Sequence, residues 1–173
     1  MQEDFDENVV SLFQKSLPFV SSAAFMLLSY IPLNVALFNN VRPDFGLVCV
    51  YFWILHRPDL FNLVSLVLLG VLNAAVSSAL PGAGLLAYLT MYVLIYNTQK
   101  FFNAKPFVVI WYGFIALSLA TMLIKWLVVS VYYSQFLPLS ILMFSYLIGV
   151  AVYPLVSAVL AFLQNRFIQD EGL

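Results

Sequence analysis

Long apolar runs occupy the chain from Leu17 to Leu163, and most of the few charged residues lie in short joints between these runs. Hydrophobic residues make up 64% of the sequence and charged residues 9%, whereas a soluble domain carries roughly a quarter charged residues. Apolar stretches of about 20 residues can cross the hydrocarbon core of a bilayer as helices. The pattern predicts an all-α integral membrane protein. Its single transmembrane domain covers residues 17–163, between an acidic N-terminal tail (1–16) and a short C-terminal tail (164–173).

The apolar runs predict a polytopic bundle of six transmembrane helices, or of five if the short second segment does not cross. The uncharged part of that segment, Phe45 to His56, covers only about 18 Å as a helix, against a hydrocarbon core of about 30 Å. The first span is predicted from Leu17 to Phe38 and the third from Leu60 to Leu80. Pro18 suits the start of the first helix.

The positive-inside rule counts Lys and Arg near the ends of spans and predicts which loops face the cytoplasm. With six spans, one side has only Arg42 and the other has Lys15, Arg57, Lys100, Lys105 and Arg166. This places both termini in the cytoplasm and predicts a multi-pass membrane protein. If there are five spans, only Lys15 lies on the opposite side of the membrane from the other cations. The rule therefore predicts a cytoplasmic C-terminus in both cases and does not decide between five and six spans.

Two identical tripeptides flank the second segment, Arg42-Pro43-Asp44 and Arg57-Pro58-Asp59. Proline suits the first position of a helix, and an acid complements the positive end of the helix dipole. Both tripeptides are therefore predicted to start helices. They are also the predicted partner contacts, and the two interpretations explain them about equally well.

A face of small residues runs along the third span, at Gly70, Ala74, Ser78 and Gly82. Small side chains let helix backbones approach closely in a bilayer, where the hydrophobic effect does not drive association. The spacing predicts a helix-packing face. It favours packing within the chain over packing against a partner's helix.

The residues that usually carry catalysis are scarce. Asp44 and Asp59 are the only carboxylates between residues 17 and 163, and a short helix would hold them about 22 Å apart, too far to share a proton. Cys49 and His56 are the only residues of their kinds. We therefore predict no catalytic residue, metal site or cofactor, and a non-enzymatic protein whose partners are lipids and other proteins, with no nucleic acid.

Lys125 is the one charge placed well inside a predicted span, which makes it a candidate functional residue. The spans contain no acid predicted to pair with it. Counted from Phe107 it lies about 27 Å along the helix, so its ammonium group is predicted to reach the outer interface. In the alternative it faces a wet cavity or a partner's carboxylate. Trp53, Trp111 and Trp126 are predicted to join an interfacial aromatic belt.

The segment Val41 to Asn62, VRPDFGLVCVYFWILHRPDLFN, resembles the aromatic-rich second segment of the bacterial rod shape-determining protein MreD family. The stretch from Gly70 through Gly82 to Leu86-Ala87-Tyr88-Leu89 is similar to that family's helix-turn-helix. The chain's size and span number agree with the family as well. The family commonly has an aspartate where this chain has Ala74, so no role of that acid is transferred.

The resemblance implies a non-enzymatic scaffold in the bacterial inner membrane, a component of the cell-elongation machinery that supports peptidoglycan synthesis and rod shape. Such a protein binds the bitopic protein MreC and helps link cytoskeletal MreB to the glycosyltransferase RodA and the elongation transpeptidase. The alternative is the substrate-binding membrane subunit of a vitamin-type transporter, whose pocket is predicted to use Asn73, Ser77, Ser78, Thr90 and Asn97. A lipid-modifying enzyme ranks third, because acids and histidines are few.

Overall fold

The computed structural model describes residues 2–30, 43–77, 80, 82–102, 105–136 and 138–167. In these ranges the chain forms helices joined by turns and contains no strand. The six helices, in chain order, are α1 (Gln2–Leu28), α2 (Phe45–His56), α3 (Leu63–Val76), α4 (Ala83–Phe102), α5 (Phe107–Tyr133) and α6 (Leu139–Phe167). The all-α prediction is therefore confirmed for the described residues.

Two of the helices, α5 and α6, are long and apolar enough to cross a membrane by length and composition. The helices α2 and α3 are apolar but shorter. Two qualifying helices are weak evidence for a membrane protein, and they do not establish the predicted bundle of six spans.

Several predicted helix bounds differ from the structure. Helix α1 starts at Gln2, so the predicted N-terminal tail is largely helical and Pro18 lies inside the helix. The hydroxyl groups of Ser21 and Ser22 donate hydrogen bonds to the Pro18 carbonyl. Helix α1 ends at Leu28, and residues 31–38 of the predicted first span lie outside the described residues. Helix α3 is also shorter than the predicted span over 60–80.

Cross-helix contacts show that neighbouring helices run antiparallel. Between α1 and α2, Ser29 contacts Phe45 while the earlier Ser21 contacts the later Trp53. Between α5 and α6, Trp111 donates to the Val150 carbonyl. One helical turn further along α5, Tyr146 donates to the Ile115 carbonyl. Further side-chain contacts join α3 to α4, and the start of α2 to both α4 and α5. The C-terminal parts of α1, α3 and α5 thus meet the N-terminal parts of α2, α4 and α6 at one end of the bundle.

Helix α2 forms the centre of the core. Eight of its twelve residues are buried, and it packs against α1, α4 and α6. Tyr51 and Trp53 are fully buried, and their polar atoms are paired inside the protein, Tyr51 with the Ile110 carbonyl and Trp53 with the Ser21 hydroxyl. The prediction that Trp53 joins an interfacial belt is therefore wrong, because packing against the surrounding helices removes it from any interface.

Candidate functional site

Asp44 occupies the N-cap position of α2, at the bundle end where the helix termini meet. Its Oδ1 atom accepts hydrogen bonds from the Leu47 amide, at 3.1 Å, and from the Tyr88 hydroxyl, at 3.2 Å. Its Oδ2 atom lies 3.8 Å from the Lys125 ammonium nitrogen. One carboxylate thus caps α2 and links it to α4 and α5. The predicted helix start is confirmed, but Asp44 is the cap and Phe45 the first helical residue, so Pro43 precedes the cap and does not occupy the first helical position.

Further hydrogen bonds extend from Tyr88 across the bundle. The Asn73 side-chain amide donates to the Tyr88 hydroxyl at 2.8 Å, and the Tyr30 hydroxyl donates to the Asn73 carbonyl oxygen at 3.3 Å. Tyr88 is fully buried and Asn73 is 7% exposed, so these groups rely on one another instead of on water. We call Tyr30, Asp44, Asn73, Tyr88 and Lys125 the polar network; it joins the elements α1 to α5.

Two glycines provide the space for this network. A Cβ atom at Gly46 would meet the Tyr88 hydroxyl oxygen, and a Cβ atom at Gly84 would meet the Asn73 side-chain oxygen. Both contacts would be closer than real Cβ atoms allow, so any larger residue would displace a member of the network. Small residues at these positions are required by side-chain hydrogen bonding as much as by helix packing.

A cleft of about 80 Å³ opens beside Asp44 and Lys125, between α2, α5 and α6. A cavity needs roughly 10–15 Å³ to hold one water, so the cleft has room for several waters or a small polar group. Most of the surface that lines it is apolar. Ser118 and Thr121 of α5 and Tyr146 and Gly149 of α6 also line the cleft.

The structure corrects the prediction that no acid within the chain pairs with Lys125. Asp44 is at the start of α2 and Lys125 is near the end of α5, and antiparallel packing brings both to the same end of the bundle. Each side chain is about one-third exposed, at 30% and 32% respectively. Lys125 therefore pairs with the chain's own carboxylate at the edge of a cleft, which differs from the snorkelling prediction.

The second tripeptide, Arg57-Pro58-Asp59, does not start a helix. The Arg57 amide donates to the Trp53 carbonyl and so ends α2, and Asn62 caps α3 by accepting from the Ser65 amide. Arg57 and Asp59 face each other at 4.0 Å, with the Asp59 side chain 70% exposed. This junction is accessible, but its predicted role as a partner contact stays a prediction. Of the first tripeptide, Arg42 lies outside the described residues.

The predicted small-residue face is divided in the structure. A Cβ atom at Gly70 would lie 2.9 Å from the Leu85 Cα, so α3 and α4 approach closely there. Gly82, in contrast, has open space around its Cβ direction and a backbone φ of +91°, which is the conformation of a turn. Ala74 is half-buried, and Ser78 lies outside the described residues. Close packing is therefore shown at Gly70 and is absent at Gly82.

Of the polar residues predicted to form a transporter pocket, Ser78 lies outside the described residues, and Asn73, Thr90 and Asn97 do not converge. Asn73 belongs to the polar network, whereas Asn97 is exposed and donates to the Val93 carbonyl of its own helix. Thr90 lines a shallow apolar groove between α4 and α5. The sequence analysis did not single out Ser118 and Thr121 of the cleft. Thr121 follows Ser118 by three residues and precedes Lys125 by four, so the three side chains share one face of an otherwise apolar helix. This spacing was the signal that could have identified them.

Within the described residues, no group of three or more His, Cys, Asp and Glu side chains could hold a metal ion. The side chains at the site are suited to binding a charged or hydrogen-bonding group and to holding helices together. Comparison of the chain with protein-family models, with curated proteins and with solved structures found no match.

Proposed function

We propose that this protein is a non-enzymatic membrane scaffold that binds a bitopic partner of the MreC type. With that partner it would connect cytoskeletal MreB to RodA and the elongation transpeptidase at sites of peptidoglycan synthesis. The chain would lie in the bacterial inner membrane, with six spans and both termini in the cytoplasm. The resemblance of the segment Val41 to Asn62 to the MreD family supports this proposal.

The observation that carries the proposal is the engagement of Asp44. It is one of only two carboxylates between residues 17 and 163. It accepts hydrogen bonds from the Leu47 amide and the Tyr88 hydroxyl, and it lies 3.8 Å from the Lys125 ammonium nitrogen. A carboxylate held in this way stabilises the arrangement of helices, and its fixed partners make it poorly suited to transfer protons during turnover.

The outer surface offers apolar helix faces for contact with lipid or another span. On α3, Val64, Leu68 and Val71 are each more than half exposed and repeat at the helical spacing that places them on one face. This face begins directly after the exposed Arg57-to-Asp59 junction. A partner with one span and a charged juxtamembrane segment could contact both features together.

Co-purification with the MreC-type protein encoded in the same genome tests the proposal. The two full-length chains would be co-expressed, and the partner would be quantified after affinity capture of this protein in mild detergent. We expect near-stoichiometric capture, and we expect Asp59→Lys to reduce it while Lys105→Glu, a charge reversal at another exposed joint, does not. Absence of capture with both chains present in the membrane would contradict the proposal.

The rival function is a substrate-binding subunit of a vitamin-type transporter, and the cleft beside Lys125 is the observation that favours it. Its volume of about 80 Å³ is well below the roughly 300–1,000 Å³ of pockets that enclose drug-sized ligands. A vitamin co-purifying in stoichiometric amount, identified by mass spectrometry, would support this rival over the scaffold.

A further inference from the structure

We propose that the cleft between α2, α5 and α6 binds the head group of an aminophospholipid. The primary ammonium of the lipid would contact Asp44, and its phosphate would contact Lys125. This inference does not depend on the scaffold function, because it uses only the described cleft and its charges.

Opposite charges meet at the cleft without forming a tight pair. The 3.8 Å between Asp44 Oδ2 and Lys125 Nζ exceeds the roughly 2.7–2.9 Å of a charge-assisted hydrogen bond. Both intramolecular hydrogen bonds to Asp44 fall on Oδ1, so Oδ2 is the oxygen that faces the lysine. A zwitterion with an ammonium and a phosphate can satisfy both side chains at once, which a ligand with a single charge cannot do.

The hydroxyl groups of the cleft favour an ammonium that carries N–H bonds. Ser118 donates its proton to the Phe114 carbonyl, and Thr121 donates its proton to the Leu117 carbonyl. Each hydroxyl oxygen has lone pairs that can accept a hydrogen bond from a donor, and the Ser118 hydroxyl also interacts with the Tyr146 side chain. Ethanolamine and serine head groups have a primary ammonium, whereas the trimethylammonium of choline has no N–H to donate.

The rest of the cleft suits the apolar part of a lipid. Its lining is mostly apolar, and Gly149 in its α6 wall has no atom within 4 Å of its Cβ direction. Outside the cleft, the same two helices carry exposed apolar residues, including Leu127 on α5 and Leu147 on α6. Acyl chains attached to the head group could lie along these faces. This argues for a lipid over a free zwitterion such as phosphoethanolamine.

Lipid binding by the full-length chain in delipidated detergent micelles tests the proposal. Native mass spectrometry would measure the binding of phosphatidylethanolamine, phosphatidylcholine and phosphatidylglycerol with identical acyl chains, and of free phosphoethanolamine. Because charge-assisted hydrogen bonds are lost with the other head groups, we expect phosphatidylethanolamine to bind about 10-fold or more tightly than either. Equal binding of the three lipids, or equally tight binding of phosphoethanolamine, would overturn the proposal.

Variants locate the binding. Gly149→Leu would fill open space, and Asp44→Asn would remove the charge while keeping an oxygen that caps α2. We expect each to weaken phosphatidylethanolamine binding about 10-fold or more, because a charge contact or the space for the head group is lost. Lys105→Gln, an exposed lysine at another joint, serves as the control. If a cleft variant fails to fold, the selectivity of the unaltered chain among the three lipids still decides the proposal, and unchanged binding by a folded Gly149→Leu would overturn it.

Discussion

Removal of the Tyr88 hydroxyl tests how much the polar network stabilises the fold. Tyr88→Phe leaves the Asn73 amide without its 2.8 Å acceptor and removes one of the hydrogen bonds to Asp44. An unsatisfied buried polar group costs about 1–3 kcal/mol, and a hydrogen bond to a charged group contributes about 1.5–3 kcal/mol. Water can partly replace the second bond, because Asp44 is 30% exposed. We therefore expect the free energy of unfolding to fall by about 2–4 kcal/mol.

Reversible denaturant titration in mild detergent, followed by helical circular dichroism, measures this loss. The matched control is Tyr96→Phe, which removes a hydroxyl from the same helix at a residue that is 69% exposed. A surface substitution of this kind changes stability by less than about 0.5 kcal/mol. If Tyr88→Phe were as mild as Tyr96→Phe, the network would not hold the helices together and the reasoning would be refuted.

Gly46→Ala provides a second test of the same contact. The new methyl group would collide with the Tyr88 hydroxyl oxygen, so Gly46→Ala alone should displace that hydroxyl from Asp44 and Asn73. In the Tyr88→Phe background the colliding oxygen is absent, and the substitution should cost less. We expect the two costs to deviate from additivity by about 1 kcal/mol, which a double-mutant cycle measures. Additivity within about 0.5 kcal/mol would show that the glycine does not serve the network.

Three further outcomes follow from the geometry, each measured by the same titration. Gly70→Ala should destabilise the fold by about 1–3 kcal/mol, because the new methyl group overlaps the Leu85 backbone. Gly149→Ala should be neutral or stabilise the fold by up to about 1 kcal/mol, because its Cβ meets open space. If both substitutions destabilised the fold, the packing argument would be contradicted. Lys125→Gln should lower the free energy of unfolding by about 1 kcal/mol, because the ion pair with Asp44 is only one-third exposed. Asp59→Asn, at the more exposed pair with Arg57, should lower it by less. Equal losses in the two variants would contradict this ranking. Gly82→Ala should cost about 1 kcal/mol despite the open space, because its φ of +91° strains any L side chain, and a neutral result would contradict that explanation.

Local signals in the sequence predicted local structure with mixed success. The tripeptides ending at Asp44 and Asp59 are identical, yet only Asp44 caps a helix. After α2 the chain forms a turn in which the Leu60 and Phe61 amides donate to the Arg57 carbonyl, and Phe61 is buried against the core. This burial fixes the turn and moves the start of α3 to the next capping residue, Asn62. Tertiary packing, which the sequence pattern does not show, decided between the two signals.

The ion pair between Asp44 and Lys125 could not be predicted by counting along single helices. Counting placed Lys125 near one end of its helix and Asp44 at the start of another, and both placements are correct. Whether the two side chains face each other depends on how α2 and α5 are rotated about their axes. The row of Ser118, Thr121 and Lys125 on one face of α5 was the available indication that this face turns inward.

The cleft follows from the lengths of the helices that surround it. Helix α2 has 12 residues and is about 18 Å long, whereas α5 and α6 have 27 and 29 residues and extend past its first turn. Lys125 lies eight residues before the end of α5, so about 12 Å of that helix continues beyond the level of Asp44. A short core helix that starts between two longer ones leaves a recess in the described part of the chain, with the capping carboxylate at its base. Because α2 is short, the sequence left open whether it crosses the membrane. The short length of α2 also places the Asp44 carboxylate at the base of a recess, where a ligand can reach it.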